Sequence, residues 1–177
     1  MTRADRIGRR SDDLLHMLDD VRSIQRKYRG WNKLIGDTTT RIVAHYLRKH
    51  LSRRIRLVKA GYVEGCKNEF DLLLVGRNTK PMGLTNVYRK TDVRAIIEVK
   101  TSGSRDKLYK FSSKQATFRQ IGEFLGKPVL YLSLLHTPKY AEEVVRILGK
   151  DAFILQIRRK MNERDWRRFL RRIGSMR

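Results

Sequence analysis

The chain has 177 residues, a length that suits one domain, and its 40% hydrophobic content is enough to fill a core, which excludes a wholly disordered basic tail. The balance of 41 Lys and Arg against 18 Asp and Glu gives a formal charge of +23, a field that works against compactness unless an anionic partner offsets it. No apolar run approaches the ~20 residues that span a bilayer, and one cysteine, Cys66, excludes an internal disulfide framework and any Cys-rich zinc site.

The elements read as follows. Ser11-Asp12-Asp13 caps a helix predicted to run to about Tyr28, with Leu14, Leu15, Leu18, Val21 and Ile24 as its apolar stripe. This amphipathic segment stands where a secretory signal would carry its apolar region, so secretion is not expected and a cytoplasmic, nucleoid-associated location is. Gly30-Trp31-Asn32 breaks the helix. A second helix is expected from near Asp37-Thr38-Thr39, carrying Ile42, Val43, Tyr46, Leu47 and Leu51 inward. Ile55–Lys59 reads as a short strand, with Gly61 and Gly65 bracketing a turn or bulge. Glu69–Val75 is a stronger strand, stopped by Gly76. Residues 77–92, with Asn78, Pro81, Gly83 and Asn86, read as a long hairpin loop. Arg94–Lys100 is again nearly continuous apolar strand.

Ser112-Ser113 opens a helix with Phe118, Ile121, Phe124 and Leu125 inward, ended by Gly126-Lys127-Pro128. Val129–Leu135 is an apolar strand, Thr137-Pro138 starts a helix through Leu148, and Ala152–Ile157 is a last strand. Asn162-Glu163-Arg164-Asp165 caps a terminal basic helix with Trp166, Phe169, Leu170 and Ile173 on one side. Strands covered on both faces read as apolar runs, so the class is α/β with a central mixed sheet flanked by helices. The expected division is an N-terminal helical extension over 1–36, an α/β core over 37–157 and a basic C-terminal helix over 158–177.

The positive charge collects in three stretches. Residues 41–59 carry Arg41, Arg48, Lys49, Arg53, Arg54, Arg56 and Lys59 with no acid, and residues 105–119 carry Arg105, Lys107, Lys110, Lys114 and Arg119 against Asp106. The tail 158–177 holds nine basic residues and two acidic ones. Nucleic acid is the partner this charge fits best, and an anionic membrane surface fits less well. The candidate contacts are Arg48, Lys49, Arg53 and Arg54 in the first stretch, and Lys107, Lys110, Lys114 and Arg119 in the second.

Two buried-strand patterns contain charges that such strands should not hold. Asp71 lies inside Phe70–Val75, while Glu98 and Lys100 close the run Ala95–Lys100. Alternation puts Asp71 on one face of its strand, and Glu98 with Lys100 on one face of theirs. If the strands pair as a hairpin, the carboxylates converge with the Lys100 amine beside them. An unpaired carboxylate pair in an apolar sheet is costly, and a divalent cation removes that cost. Two carboxylates, a backbone carbonyl and waters make a hard oxygen site suited to Mg²⁺. The plainer reading is an edge-strand ion pair without chemistry. His16, His45, His50 and His136 lack ligand spacing, and Cys66 reads as incidental.

Asp71 followed at a distance by Glu98-Val99-Lys100 resembles the PD-(D/E)xK nuclease superfamily, within which the chain is most similar to archaeal Holliday-junction resolvases. The resemblance covers about residues 37–157 and implies a restriction-endonuclease-like core and a Mg²⁺-dependent DNA endonuclease, with Mn²⁺ as a substitute. It implies Asp71, Glu98 and the Val99 carbonyl as metal ligands and Lys100 as the catalytic lysine. Gln115 or Lys114 would touch the scissile phosphate or the attacking water. Phe70 stands where the pattern has Pro, and no acid follows Asp37 on the preceding helix, so Asp37 or Glu69 would complete any second metal site. The implied substrate is branched or distorted duplex DNA, cut by a possible homodimer. The alternative is a non-catalytic basic nucleic-acid-binding protein with a vestigial site.

Overall fold

The computed structural model describes residues 13–21, 23, 24, 27, 32–100, 122–134, 146, 149–157 and 160–176. The apolar runs form a sheet of strands β1 (Ile55–Val63), β2 (Glu69–Gly76), β3 (Val87–Tyr88), β4 (Val93–Lys100), β5 (Val129–Ser133) and β6 (Ala152–Ile154). Their spatial order is β3-β1-β2-β4-β5-β6. β1, β2 and β4 are antiparallel neighbours, whereas β4, β5 and β6 run parallel. A separate ribbon pairs β7 (Gln156–Ile157) with β8 (Lys160–Met161).

Strand alternation sends Leu72, Leu74, Ala95, Ile97, Val99, Leu130, Leu132 and Phe153 to one face. There they meet Val43 and Leu47 of the Asn32–Arg48 helix and Trp166, Phe169 and Ile173 of the Glu163–Gly174 helix, with Leu14, Leu18 and Val21 in the same cluster. The opposite face gathers Val58, Val63, Leu73, Val75, Val93, Ile96 and Leu125. No helix among the described residues is long and apolar enough to cross a membrane.

Several boundaries differ from the sequence reading. The helix expected from Asp37 begins at Asn32, which leaves Asp37 exposed inside it. The Thr39 hydroxyl donates to the Ile35 carbonyl (2.8 Å), four residues back along the helix, where the sequence suggested an N-terminal cap. β1 continues through Gly61 to Val63. A Cβ at Gly61 would lie 2.6 Å from Leu73 Cδ1, so a larger residue there would force the Leu73 side chain to move. The expected loop over 77–92 contains the edge strand β3, which is too short to leave a sequence pattern. Ala152–Ile157 is divided at Leu155, whose amide still donates to the Ser133 carbonyl of β5 (2.8 Å) before the chain turns into the β7–β8 ribbon. Of the helices expected from Ser112 and from Thr137, only residues 122–125 and 146 lie among the described residues, and both are helical.

The terminal helix is built as drawn from its cap. Asn162 Oδ1 accepts from the Asp165 amide, and Trp166, Phe169 and Ile173 are buried. The helix also closes the β6 edge: Asp165 Oδ2 accepts from the Ile154 amide (2.9 Å), and Arg168 Nη2 donates to the Ala152 carbonyl. An unpaired edge strand is a template for aggregation, so these two side chains replace the missing neighbour. Arg168 is fixed by Asp165 at 3.3 Å and lies 4.5 Å over the Phe153 ring.

Because this helix is core, truncation after Ile157 is expected to abolish cooperative thermal unfolding followed by circular dichroism. Phe169→Ala is expected to cost about 3–5 kcal/mol in urea titration. A truncated chain that melted like the parent would show the helix to be an appendage.

Candidate active site

The site forms where the β2–β4 ladder ends. The last pairs in register are Leu73 with Ile96 and Leu72 with Ile97, and one further step sets Asp71 opposite Glu98. Beyond that step the ladder is taken over by a side chain, because Asp71 Oδ2 accepts from the Val99 amide at 2.8 Å. In a strand the N–H and C=O of one residue point to the same side, so the Val99 carbonyl faces the fork between β2 and β4. Lys100 Nζ lies 2.9 Å from Glu98 Oε2 and 3.4 Å from Asp71 Oδ2. The sequence-predicted residues Asp71, Glu98, Val99 and Lys100 therefore converge, at the carboxyl end of the parallel strand β4. In open α/β sheets that end is where ligands bind.

The electrostatics are unequal. Glu98 is 4% exposed, whereas the Asp71 and Lys100 side chains are each 33% exposed. Burial pushes the Glu98 carboxyl up to about 7, because the cost of desolvation outweighs the opposing Lys100 ammonium, and the Asp71 charge adds a smaller push in the same direction. Burial alone would pull the Lys100 amine down, but Glu98 and Asp71 beside it raise it on balance. One ammonium thus serves two carboxylates. Glu98 Oε1 is buried and accepts no hydrogen bond among the described residues, which is unusual for a buried carboxylate oxygen.

That orphaned oxygen, the Asp71 carboxylate and the Val99 carbonyl form an all-oxygen donor set that fits a hard divalent cation. Among the described residues, no group of three or more His, Cys, Asp or Glu is placed to hold a metal. A cation held by so few protein ligands keeps several waters, the habit of Mg²⁺.

Other candidates fall elsewhere. Glu69 Oε2 accepts from the Tyr62 hydroxyl (2.9 Å), and this hydrogen bond holds the phenol above its ordinary pKa. Gln115, Lys107, Lys110, Lys114 and Arg119 lie outside the described residues. Arg48, Lys49, Arg53 and Arg54 are exposed at the other end of β1. They are separated from the level of Asp71 by about five residues of strand, roughly 16 Å. His50 lies edge-on to Trp166 at 6.1 Å, a packing role. Cys66 is half-buried, and burial raises its thiol.

Two neighbours escaped the sequence reading. Tyr131 and Ser133 of β5 are in register with Glu98 and Lys100, so their side chains share the face of the site. Their signal was present as two hydroxyl residues spaced by two in an otherwise apolar strand.

No protein-family model matches the sequence, and no curated protein matches it. The fold does match solved structures of NucC. For the cAAA-bound form from E. coli MS115-1 the identity is 15% and the TM-score 0.55, over 75% of this chain and 63% of that one. This chain thus spans under two-thirds of that protein. The cAAA-bound form from P. aeruginosa ATCC27853 gives 14% and 0.60, over 87% and 76%. The apo form from E. coli MS115-1 gives 12% and 0.52, over 94% of both chains. The likeness is one of fold: a mixed sheet with flanking helices, an α/β restriction-endonuclease-like core. It does not support the expected similarity to archaeal Holliday-junction resolvases in particular.

The raised Glu98 group sets a pH dependence. The folded chain holds that proton more tightly than the unfolded chain, whose group titrates near 4.5. The resulting stability is complete below about 4.5 and is lost as pH rises through about 7. In EDTA, the melting temperature of the parent is expected to fall relative to Glu98→Gln across that window. A constant difference between the two proteins would show that Glu98 does not titrate there.

Proposed function

We propose that this protein is a metal-dependent endonuclease that hydrolyses phosphodiester bonds of DNA. The observation that carries the reading is a buried, partner-poor Glu98 beside Asp71 and Lys100, in a chain of charge +23. The NucC-like fold supports it, since NucC is a PD-(D/E)xK-type nuclease.

In this reading Asp71, Glu98 and the Val99 carbonyl hold Mg²⁺ or Mn²⁺. The bound cation would lower the pKa of a water and stabilise charge on a phosphate oxygen. Asp71 is anchored by the Val99 amide, so its carboxylate is oriented before any ligand arrives. Glu98 is desolvated, which strengthens its attraction for a cation and makes cation uptake displace a proton near neutral pH. Lys100 stays protonated at working pH and carries its ammonium at the rim of the cluster, where it offsets charge that builds up on the phosphate. Exposed basic side chains, Arg48, Lys49, Arg53 and Arg54 among them, supply the backbone contacts that hold DNA.

Preference for branched or distorted DNA is the finer part of the proposal. It rests on the similarity of Glu98-Val99-Lys100 and the following Lys114-Gln115 to the resolvase pattern. A homodimer would bring two cutting centres to the two strands.

The deciding experiment is a nicking assay on plasmid and on four-way junctions, with Mg²⁺ and with EDTA. Asp71→Asn and Glu98→Gln are expected to remove cleavage and keep DNA binding. Lys100→Ala is expected to bind nearly normally and to cut at least about a hundredfold more slowly, the usual cost of one positioned charge-stabilising or proton-transfer group. A rate that fell only in proportion to affinity would make Lys100 a contact residue. A parent that cut no DNA with either metal would leave the non-catalytic binding protein as the reading.

Binding itself should be strongly salt-dependent. With about 6–10 phosphate contacts, affinity is expected to fall by about 10³–10⁵ between 50 and 200 mM salt. A nearly flat dependence in a fluorescence-anisotropy titration would reject an electrostatic interface.

A further inference from the structure

At the far end of β1 from the carboxylates, a hollow of about 580 Å³ opens among Arg48, Arg53, Arg56 and Arg77, with Ser52 between them. Among the described residues no carboxylate lines it. The arginines of the terminal helix offer a contrast. Arg167, Arg168 and Arg172 each lie 3.3–3.7 Å from Glu163, Asp165 or Asp151, but none of the four at the hollow has an ion pair among the described residues.

Two of these guanidinium groups are nevertheless held in place, and by neutral acceptors. Arg77 Nη1 donates to the Arg53 carbonyl (3.3 Å), while the Arg77 amide donates to the Arg54 carbonyl (2.8 Å). Arg56 Nη2 donates to the Thr79 carbonyl (2.6 Å), and its guanidinium lies 5.8 Å over the Tyr88 ring. Carbonyl acceptors orient an arginine without neutralising it. The Ser52 oxygen accepts from the Arg54 amide (3.2 Å), which leaves its hydroxyl proton free to donate. Arg48 lies in the last turn of the Asn32–Arg48 helix, whose carboxyl end contributes about half a negative charge. Four full positive charges outweigh it.

We infer that this hollow is a phosphate-binding site separate from the cutting centre. Guanidinium forks match the oxygens of a phosphate two at a time, and their orientation before binding reduces the ordering cost. The volume falls within the range of small-ligand clefts. The inference deepens the DNA reading, on which it rests only for the source of the phosphate. A strand length of roughly 16 Å separates the two sites, equal to about five base-pair rises. A backbone phosphate about that far from the cut is then one source, and a free phosphate-bearing molecule is the other.

Pyrophosphate is the probe, titrated calorimetrically into the full chain at constant ionic strength. Saturable binding at one site per chain is expected. Arg48→Gln with Arg53→Gln, whose side chains make no hydrogen bond or ion pair among the described residues, is expected to weaken it at least about tenfold. Lys33→Gln with Lys150→Gln removes the same charge elsewhere and should leave it unchanged, and thermal melts should match the parent in both. Binding that does not saturate, that survives the arginine changes, or that weakens equally in the lysine control overturns the inference. If a short duplex displaces pyrophosphate, the hollow takes backbone phosphate. If it does not, the hollow takes a free ligand. None of these readouts requires cleavage, so a chain that never cuts DNA can still pass, and a nuclease can fail.

Discussion

A carboxylate in the middle of an apolar sheet has to be neutralised, paired or left protonated, and Glu98 sits among all three outcomes. Its neighbours along the strand are Ile97 and Val99, Tyr131 is its partner on the parallel side, its near charges are Asp71 and Lys100, and one of its oxygens meets no donor among the described residues. The net charge of the cluster with both acids ionised is one negative unit in a place of low polarity. Burial raises the Glu98 carboxyl, and the two carboxylates hold the Lys100 proton against the same burial. A cation resolves the imbalance, as does a proton. An apolar substitution would resolve it too, so stability alone gives no reason for this trio.

The sheet around the cluster is arranged so that the imbalance is held in place. Helices cover one face through the Val43, Leu47, Trp166 and Phe169 contacts, and the terminal helix closes the β6 edge through Asp165 and Arg168. Such closure fixes the parallel strands β4, β5 and β6, and with them the register that sets Tyr131 beside Glu98 and Ser133 beside Lys100. On the antiparallel side, Gly61 allows β1 to lie close against Leu73.

Much of this was legible in the sequence because it follows from periodicity. Phe70–Val75 and Ala95–Val99 are apolar runs, so Asp71, Glu98 and Lys100 stand out as exceptions, and two-residue alternation is enough to put Glu98 and Lys100 together. The terminal helix was legible from its Asn162 cap and the Trp166, Phe169, Ile173 spacing. What was not legible depends on tertiary geometry. Thr39 resembles a helix start until its hydroxyl is seen to bond back to Ile35. β3 is two residues held by its parallel pairing with Tyr62 and Val63, and no local pattern announces it. Arg77 is a single basic residue after Gly76, and only the fold-back of the chain joins it to Arg53.

The arrangement also separates two electrostatic tasks along one pair of strands. At the β2 start and β4 end, charges of both signs are packed so closely that each is committed to another. At the β1 start and β2 end, arginines are oriented by carbonyl groups and keep their charge. Coulomb attraction between exposed groups is screened over about 8–10 Å at physiological salt, so over roughly 16 Å of strand the two ends act nearly independently. A polyanion can therefore be attracted by the arginine end without its field cancelling the negative cluster that must attract a cation. Had the arginines stood next to Glu98, they would have paired with it and left the cluster no affinity for a metal.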